Sequence, residues 1–132
     1  MMEFIIQTQQ RDELQEITSL VQSAVSQSRV REGIVVVQSP HTTLAITANE
    51  HVDADVARDL IGHLKDLVPQ KSTFRHRENN SDSHIKVSLV GPSLSLIVRD
   101  GQICLGTWQG IFACEFDGPR QRRIWVEVVG RY

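Results

Sequence analysis

The spacing of apolar residues predicts the elements in the first third of the chain. Residues 3–9 are predicted to form a short strand. Asp12 and Gln15, three positions apart, resemble a capping box that begins a helix. The β-branched run at 34–38 predicts a buried strand that Pro40 ends. Between the capping pattern and this strand, apolar residues at helical spacing form one stripe: Leu14, Ile17, Leu20, Val21, Ala24 and Val25.

The middle of the chain is predicted to contain a strand, a helix and a long polar loop. Residues 42–48 have the composition of a strand. Apolar residues four positions apart predict a helix over about 54–67, with Asp53 as its cap and Pro69 beyond its end. Residues 69–82 are polar, and a loop of that length in a compact domain is often functional. Asp82 is a candidate cap for a short helix that ends at Gly91.

The last third of the sequence alternates strand-like runs with turn residues. It is interpreted as an antiparallel meander, whose first turn is the Asp100-Gly101 pair typical of a two-residue hairpin. The predicted strands cover residues 94–98, 103–105, 111–116 and 124–129. The chain is therefore predicted to be a single α+β domain over residues 1–132, with a mostly antiparallel sheet and two main helices.

Composition and charge narrow the class of protein. Its 132 residues are 40% hydrophobic and 23% charged, values typical of a globular domain. A net charge of −2 argues against nucleic acid or a membrane surface as the main partner. The N-terminal residues lack a signal-peptide pattern and no apolar run has transmembrane length, so we expect a cytoplasmic protein. Cys104 and Cys114 lie in apolar runs and are expected to be buried thiols.

Two polar segments are candidates for chemistry. His41 follows Pro40 and precedes two threonines, with Asn49-Glu50 at the far end of the predicted strand. A histidine in this position can act as a ligand, a base or an anion donor, but it can also be an ordinary turn residue. Residues 76–84 contain two imidazoles, two carboxylates and two amides, and neutral imidazole and carboxylate oxygen are the ligands that a borderline divalent ion prefers. A hydrophilic surface loop is the alternative.

Other polar groups carry weaker signals. Residues 106–110, Gly-Thr-Trp-Gln-Gly, offer a stacking face and an amide, or are a turn with a packed tryptophan. The Asp-Gly-Pro within residues 114–120 indicates a turn. His51 and His63 are expected at the surface. The sequence contains no phosphate loop, dinucleotide fingerprint or nucleophile elbow. A basic cluster is either a solvated turn or part of an anion site: Arg120, Arg122 and Arg123.

Several blocks, in order, resemble the YjbQ-like family, whose members are described as secondary thiamine-phosphate synthases. They are His41-Thr-Thr-x-Ala-Ile with Asn49-Glu50, then His76-x-Glu-x-Asn-x-Asp-x-His84, then Leu105-Gly-Thr-Trp-Gln-Gly-Ile and Cys-Glu-Phe-Asp-Gly-Pro-Arg. The resemblance spans residues 3–130. One departure is Asn79, where many relatives have glycine, although asparagine tolerates left-handed backbone angles better than most residues.

The resemblance implies a small α+β fold, a homotrimer and one polar pocket. The implied activity joins hydroxymethylpyrimidine diphosphate to thiazole phosphate and releases pyrophosphate. The pocket residues carried over by position are His41, Glu50, His76, Asn80, Asp82 and His84, with Trp108 and Gln109 nearby.

The hypothesis for the site is a divalent metal, better matched by zinc than by magnesium. The ligands would be His41, His76 and His84, assisted by Asp82 or Glu50, and the catalytic groups His41, Glu50 and Asp82. Arg77 or Arg120 would meet phosphate, and the expected substrate-binding residues are Thr43, Asn80, Trp108, Gln109 and Arg120.

Two other functions fit the same residues. One is a zinc-dependent hydrolase or lyase acting on a small phosphorylated or carbonyl compound, with Glu50 or Asp82 as the base. The other is a trimeric protein that binds a ligand without turnover.

Overall fold

The computed structural model describes residues 1–71 and 73–131. Ser72, in the loop predicted over 69–82, and Tyr132, the last residue of the predicted domain, lie outside the described residues. The elements are β1 (Met2–Gln7), β2 (Glu13–Glu16), α1 (Thr18–Ser28), β3 (Gly33–Gln38), β4 (Leu44–Glu50), α2 (Ala54–Leu67), α3 (Ser81–Val90), β5 (Ser93–Arg99), β6 (Gln102–Ile103), β7 (Gln109–Glu115) and β8 (Gln121–Gly130).

The strands form two antiparallel sheets. The larger has the order β1-β8-β3-β5-β6, and the smaller has the order β2-β7-β4. In β3, Val35 and Val37 are fully buried, Val36 between them is only half-buried, and Ile34 and Gln38 on either side are exposed, which is the two-residue alternation of a sheet with one covered face. In β7 every residue from Gly110 to Glu115 is buried, so this strand is covered on both faces. The α+β prediction is confirmed.

The main apolar core lies between α1 and the two sheets. Burying these side chains is the chief driving force for folding. The fully buried core residues include Val21, Ala24, Val25, Val35, Val37, Leu44, Ile111, Ala113 and Ile124. A second cluster, against α3, contains Ala45, Val87, Phe112, Cys114 and Phe116.

The predicted start of the first helix is wrong. Residues Glu13–Glu16 form β2, in which Leu14 pairs with Cys114 of β7, and α1 begins only at Thr18. The capping-box pattern at Asp12 was overridden by pairing with a strand about one hundred residues away, because tertiary contacts outweigh weak local helix signals. Asp12 is instead buried beside Lys86.

The predicted meander is correct only in its first turn. Asp100 and Gly101 have φ values of 53° and 74°, and Arg99 pairs with Gln102 across them, as a two-residue hairpin requires. Beyond that hairpin, β7 joins the other sheet and β8 lies between β1 and β3. Apolar alternation marks a strand but does not choose its partner, which explains the error.

The second and third helices can be compared with the sequence predictions by their bounds and caps. The predicted helix at 54–67 is confirmed, and the Asp53 side chain accepts a hydrogen bond from the Asp55 N–H. A third helix, α3, is capped at Asn80, so the prediction of Asp82 as its cap is wrong. Gly91 ends it, as predicted. Within the described ranges, none of the helices is long and apolar enough to cross a membrane.

The two cysteines differ in their exposure to solvent. Cys114 is buried as predicted, whereas Cys104 is exposed because it follows β6, the two-residue strand at the edge of its sheet.

Candidate functional site

His41 and Glu50 lie at opposite ends of β4. His41 precedes the strand by three residues and Glu50 is its last residue. A strand rises about 3.3 Å per residue, so the two side chains are on the order of 20–25 Å apart. The single pocket predicted from both segments therefore does not form within one chain.

His41 makes a specific contact at its end of β4. Its Nε2 accepts a hydrogen bond from the backbone N–H of Arg123 at 2.9 Å. Burial, followed by the charge of Arg122, lowers the pKa of His41 below its ordinary value. The ring is therefore neutral at physiological pH and carries its proton on Nδ1, since Nε2 is an acceptor. His41 thus offers an Nδ1–H donor.

A buried ion pair lies next to His41. Arg122 contacts both carboxylate oxygens of Glu115, one through Nε at 2.8 Å, and Arg122 Nη2 donates to Thr43 Oγ1 at 2.7 Å. Burial raises the pKa of Glu115, but hydrogen bonds from Arg122 and Thr8 outweigh it and hold that pKa below its ordinary value. The interpretation of Arg122 as part of a solvated turn is wrong, because a carboxylate inside the fold pairs with it. Thr43, predicted to bind substrate, is also buried and engaged by this arginine.

Asn80, at the start of α3, lies at the centre of a polar network. Its Nδ2 donates to Asp117 Oδ2 at 2.7 Å and to Glu78 Oε2 at 3.4 Å. Arg120 holds Asp117 through Nη2 to Oδ2 at 3.1 Å and through Nε to the backbone oxygen at 2.8 Å. Across residues 1–71 and 73–131, Asn80 Oδ1 is the one buried side-chain polar atom without a hydrogen-bond partner.

The two histidines of the 76–84 segment lie together at the rim of an open depression. The rings of His76 and His84 meet edge to face, with centroids 5.2 Å apart. His76 Nε2 is 3.7 Å from Glu78 Oε2, the oxygen that also accepts from Asn80. The depression has a volume of about 460 Å³ and is lined by Phe74, Arg75, His76, Ser81, His84 and Ile85. Glu78 therefore connects this depression to Asn80.

Asp82 is held in a buried ionic network on the other side of α3. Arg11 Nη2 is 3.0 Å from Asp82 Oδ1, and Lys86 Nζ is 3.1 Å from Oδ2. Burial raises the pKa of Asp82, but the bonds from Arg11 and Lys86 outweigh it and lower that pKa below its ordinary value. A fully buried carboxylate with two cationic partners is a poor proton acceptor. The environment of Asp82 therefore contradicts its prediction as a general base.

Glu50, Trp108 and Gln109 form a separate group at the far end of β4. Gln109 pairs with Glu50 across the strands, and the His51 N–H donates to the Trp108 carbonyl at 2.9 Å. Trp108 is 60% exposed. A Cβ atom on Gly110 would lie 2.6 Å from Glu16 Oε2 and 2.7 Å from the Cβ of His51, so glycine is required there by close packing.

The predicted metal site does not fit the described chain. Throughout residues 1–71 and 73–131, no three His, Cys, Asp or Glu side chains are placed to hold one ion. His76 and His84 are neighbours, but the Nε2 of His41 is taken by the Arg123 N–H and its other nitrogen is protonated.

One family of proteins shares this sequence over nearly its full length. The sequence model described as "UPF0047 protein YjbQ-like" matches residues 2–131. The chain belongs to the YjbQ-like family. The family resemblance of the sequence blocks is confirmed.

Relatives with this YjbQ-like sequence occur in archaea and bacteria. A UPF0047 protein of Methanocaldococcus jannaschii is 51% identical over 125 residues, which cover 95% of this chain and 91% of the relative. YugU of Bacillus subtilis is 40% identical over 126 residues, which cover 95% of this chain and 96% of the relative.

Solved YjbQ-like structures share the fold. A crystal structure of an uncharacterised YjbQ/UPF0047 protein from Clostridium acetobutylicum has a TM-score of 0.96 at 44% identity, covering 98% of this chain and 100% of that one. A protein of unknown function from Sulfolobus solfataricus has a TM-score of 0.94 at 32% identity, covering 98% of this chain and 96% of that one.

The YjbQ-like chain thus brings together some of the predicted site residues and separates others. Asn80 and Arg120 join one network through Asp117, and His76 with His84 reaches it through Glu78, whereas Glu50, Trp108 and Gln109 lie elsewhere. His51 and His63 are exposed, as predicted, although His51 pairs with Glu16 at 2.8 Å. Glu78 belongs to the predicted 76–84 segment, where no role was assigned to it, whereas Asp117 was not predicted as a site residue because the Asp-Gly-Pro block indicated only a turn.

Proposed function

We propose that this protein binds a small phosphorylated molecule in the depression beside α3 and catalyses the transfer expected from its family resemblance. The observation that carries the proposal is the depression itself, where two imidazoles, an aromatic ring and an arginine line a space of about 460 Å³. That volume lies within the range of roughly 300–1,000 Å³ typical of small-molecule sites.

The charges around the depression suit a diphosphate. Arg75 lines it and Arg77 follows in the same segment; among the described residues neither side chain has an ion-pair or hydrogen-bond partner. Unpaired guanidinium groups bind phosphate oxygens in a bidentate manner. Phe74, with His76 and His84, offers ring faces and edges for a heterocycle.

The proposed reaction needs no nucleophile from the protein. The thiazole nitrogen forms a bond to the methylene carbon of hydroxymethylpyrimidine diphosphate, the carbon–oxygen bond breaks, and its electron pair leaves with pyrophosphate. The role of Arg75 and Arg77 is to stabilise the negative charge that develops on the leaving group. His76 and His84 position the ring, and the two substrates react because they are held together.

The test is turnover by purified protein given both precursors, with thiamine phosphate as the product measured. Arg75→Ala and His84→Ala should each lower kcat/KM by about 10- to 100-fold, the usual effect of removing a group that stabilises or positions the reacting centre. His63→Ala, an exposed histidine on α2, is the matched control and should retain full activity. Absence of product contradicts the synthase assignment. Binding of hydroxymethylpyrimidine diphosphate without turnover would favour the ligand-binding alternative.

We also propose that the homotrimer implied by the resemblance uses the outer face of the larger sheet. Ile34 pairs with Val129 of β8 on one side and with Ile97 of β5 on the other. All three are exposed, at 45%, 50% and 60%. A contiguous apolar row of this kind on a sheet face is typical of an interface between proteins.

A further inference from the structure

We infer that Asp117, assisted by Glu78, determines the specificity of the site by fixing the side-chain amide of Asn80 so that its oxygen accepts a hydrogen bond from the ligand. The inference rests on the proposed binding of a ligand beside α3 and deepens it, since it defines what the ligand must present. Asp117 is a positioning residue in this scheme: it acts on the ligand only through Asn80.

Two carboxylates decide which way the Asn80 amide points. Its Nδ2 lies 2.7 Å from Asp117 Oδ2 and 3.4 Å from Glu78 Oε2. Rotating the amide by 180° would place Oδ1 at those positions, where an acceptor would face an acceptor and lose both hydrogen bonds. The orientation thus follows from the hydrogen bonds that the two carboxylates can accept.

Asp117 is held firmly enough to impose that choice. Its Oδ2 also accepts from Arg120 Nη2 at 3.1 Å, and its backbone oxygen accepts from Arg120 Nε at 2.8 Å. Its backbone N–H donates to Glu115 Oε2 at 3.0 Å, and Glu115 is paired with the buried Arg122. The carboxylate is therefore tied to the rigid end of β7 rather than to a free loop.

This orientation leaves the side-chain oxygen of Asn80 as a buried acceptor without a donor among the described residues. Asn80 is 5% exposed and its Oδ1 accepts no hydrogen bond from any residue that the structure describes, although leaving a buried acceptor unpaired normally destabilises a protein. A phosphate oxygen is an acceptor and does not satisfy it. A ligand that satisfies it must present an N–H or O–H group to Asn80 at the start of α3. The preferred ligand class is a phosphorylated ring that carries an amino or hydroxyl group.

The specificity arm of the test compares two probes by calorimetry: hydroxymethylpyrimidine phosphate, which carries a ring amino group, and its analogue with a ring carbonyl in that position. Wild-type protein should bind the amino probe at least about tenfold more tightly, the ratio expected from one hydrogen bond to a buried acceptor. In Asp117→Asn the amide is free to rotate, so the ratio should fall below about threefold. Glu78→Gln, at an exposed side chain, should lower the ratio in the same direction.

Asp55→Asn is the matched control. Asp55 pairs with Arg58 three residues later on α2, as Asp117 does with Arg120, and the charge change is the same. It should leave the probe ratio unchanged. An unchanged ratio in Asp117→Asn and Glu78→Gln, with both variants folded and binding, overturns the inference.

The orientation arm needs no ligand, so it separates failure of this inference from failure of the proposed function. Nuclear magnetic resonance of protein with 15N-labelled asparagine and 13C-labelled aspartate should show a coupling through the hydrogen bond between Asn80 Nδ2 and the Asp117 carboxyl carbon. The signal should vanish in Asp117→Asn and persist in Asp55→Asn. If wild-type protein lacks the coupling, the amide is not fixed by Asp117 and the inference is wrong, whatever the protein binds.

Discussion

His41 accepts a hydrogen bond through Nε2 from the backbone N–H of Arg123, which lies 82 positions later in the chain, at a distance of 2.9 Å. The contact fastens the connection between β3 and β4 to β8. It also fixes the tautomer, because an acceptor nitrogen leaves the proton on Nδ1. His41 is therefore a structural acceptor on one side and an available donor on the other.

This contact predicts how stability changes with pH. The pKa of His41 is lowered in the folded protein from 6.5 by burial and by the charge of Arg122. The unfolded chain then binds the proton more readily than the folded chain, so acid favours unfolding. Stability should fall as the pH drops through about 6.5, the histidine pKa of the unfolded chain. This contribution is fully present above that value.

Urea unfolding of wild-type protein and His41→Gln at pH 5.0, 6.0 and 7.5 checks this prediction. The stability advantage of wild type over His41→Gln should increase from pH 5.0 to pH 7.5. His63→Gln, at an exposed helix position, should follow the wild-type curve in parallel. A constant difference between wild type and His41→Gln across this range would refute the role given to the histidine.

The Arg122–Glu115 pair should be a large contributor to stability when one partner is removed. Arg122 is 2% exposed and Glu115 is fully buried. Arg122→Met should lower the free energy of unfolding by about 3–5 kcal/mol, because it leaves a buried carboxylate without its cation. The double variant Arg122→Met with Glu115→Gln should regain part of that loss. Urea unfolding at pH 7 measures both, and a loss below about 1 kcal/mol for the single variant would contradict the prediction.

Features that depend on local pattern were predictable, and those that depend on distant pairing were not. The helix Ala54–Leu67 follows from apolar residues four apart and from its Asp53 cap, all within one segment. Strand Glu13–Glu16 forms because it pairs with Phe112–Glu115, and its own four residues do not indicate which strand it pairs with. The errors in the first helix and in the meander have this single cause.

The candidate site shows the same division. His76, Asn80 and His84 lie in one short segment, so their proximity follows from the chain itself. The contact between Asn80 and Asp117 joins residues 37 positions apart and required the fold. The separation of His41 from Glu50, by contrast, was implicit in the sequence, because the strand predicted between them has to be extended and about 3.3 Å long per residue.

Asp82 is expected to act in stability rather than in catalysis. Its carboxylate lies between Arg11 and Lys86, and Lys86 is only 1% exposed. Asp82→Asn removes the charge that balances these cations and should lower the free energy of unfolding by about 3–5 kcal/mol, as expected for one partner of a buried ionic network.

Measuring turnover distinguishes a role of Asp82 in stability from a role in catalysis. Below its unfolding temperature, Asp82→Asn should keep kcat for thiamine phosphate formation within about threefold of wild type, since a factor of three corresponds to under 1 kcal/mol in the barrier. His84→Ala, in the same helix, serves as the comparison variant with reduced activity. A folded Asp82→Asn protein that has lost at least 100-fold in kcat would show that the carboxylate takes part in the reaction.

The row Ile34, Ile97 and Val129 should control assembly. These side chains lie side by side on neighbouring strands, which are about 4.8 Å apart, on the face opposite the buried Val35 and Val37. Light scattering of wild-type protein should give three times the chain mass. Ile97→Lys should give a single chain mass, because a charge placed within an apolar contact loses its hydration on association. Leu89→Lys, on α3 and equally exposed at 60%, should remain trimeric. Wild-type protein of single-chain mass would contradict the trimer, and a trimeric Ile97→Lys variant would show that a different face of the molecule forms the contact.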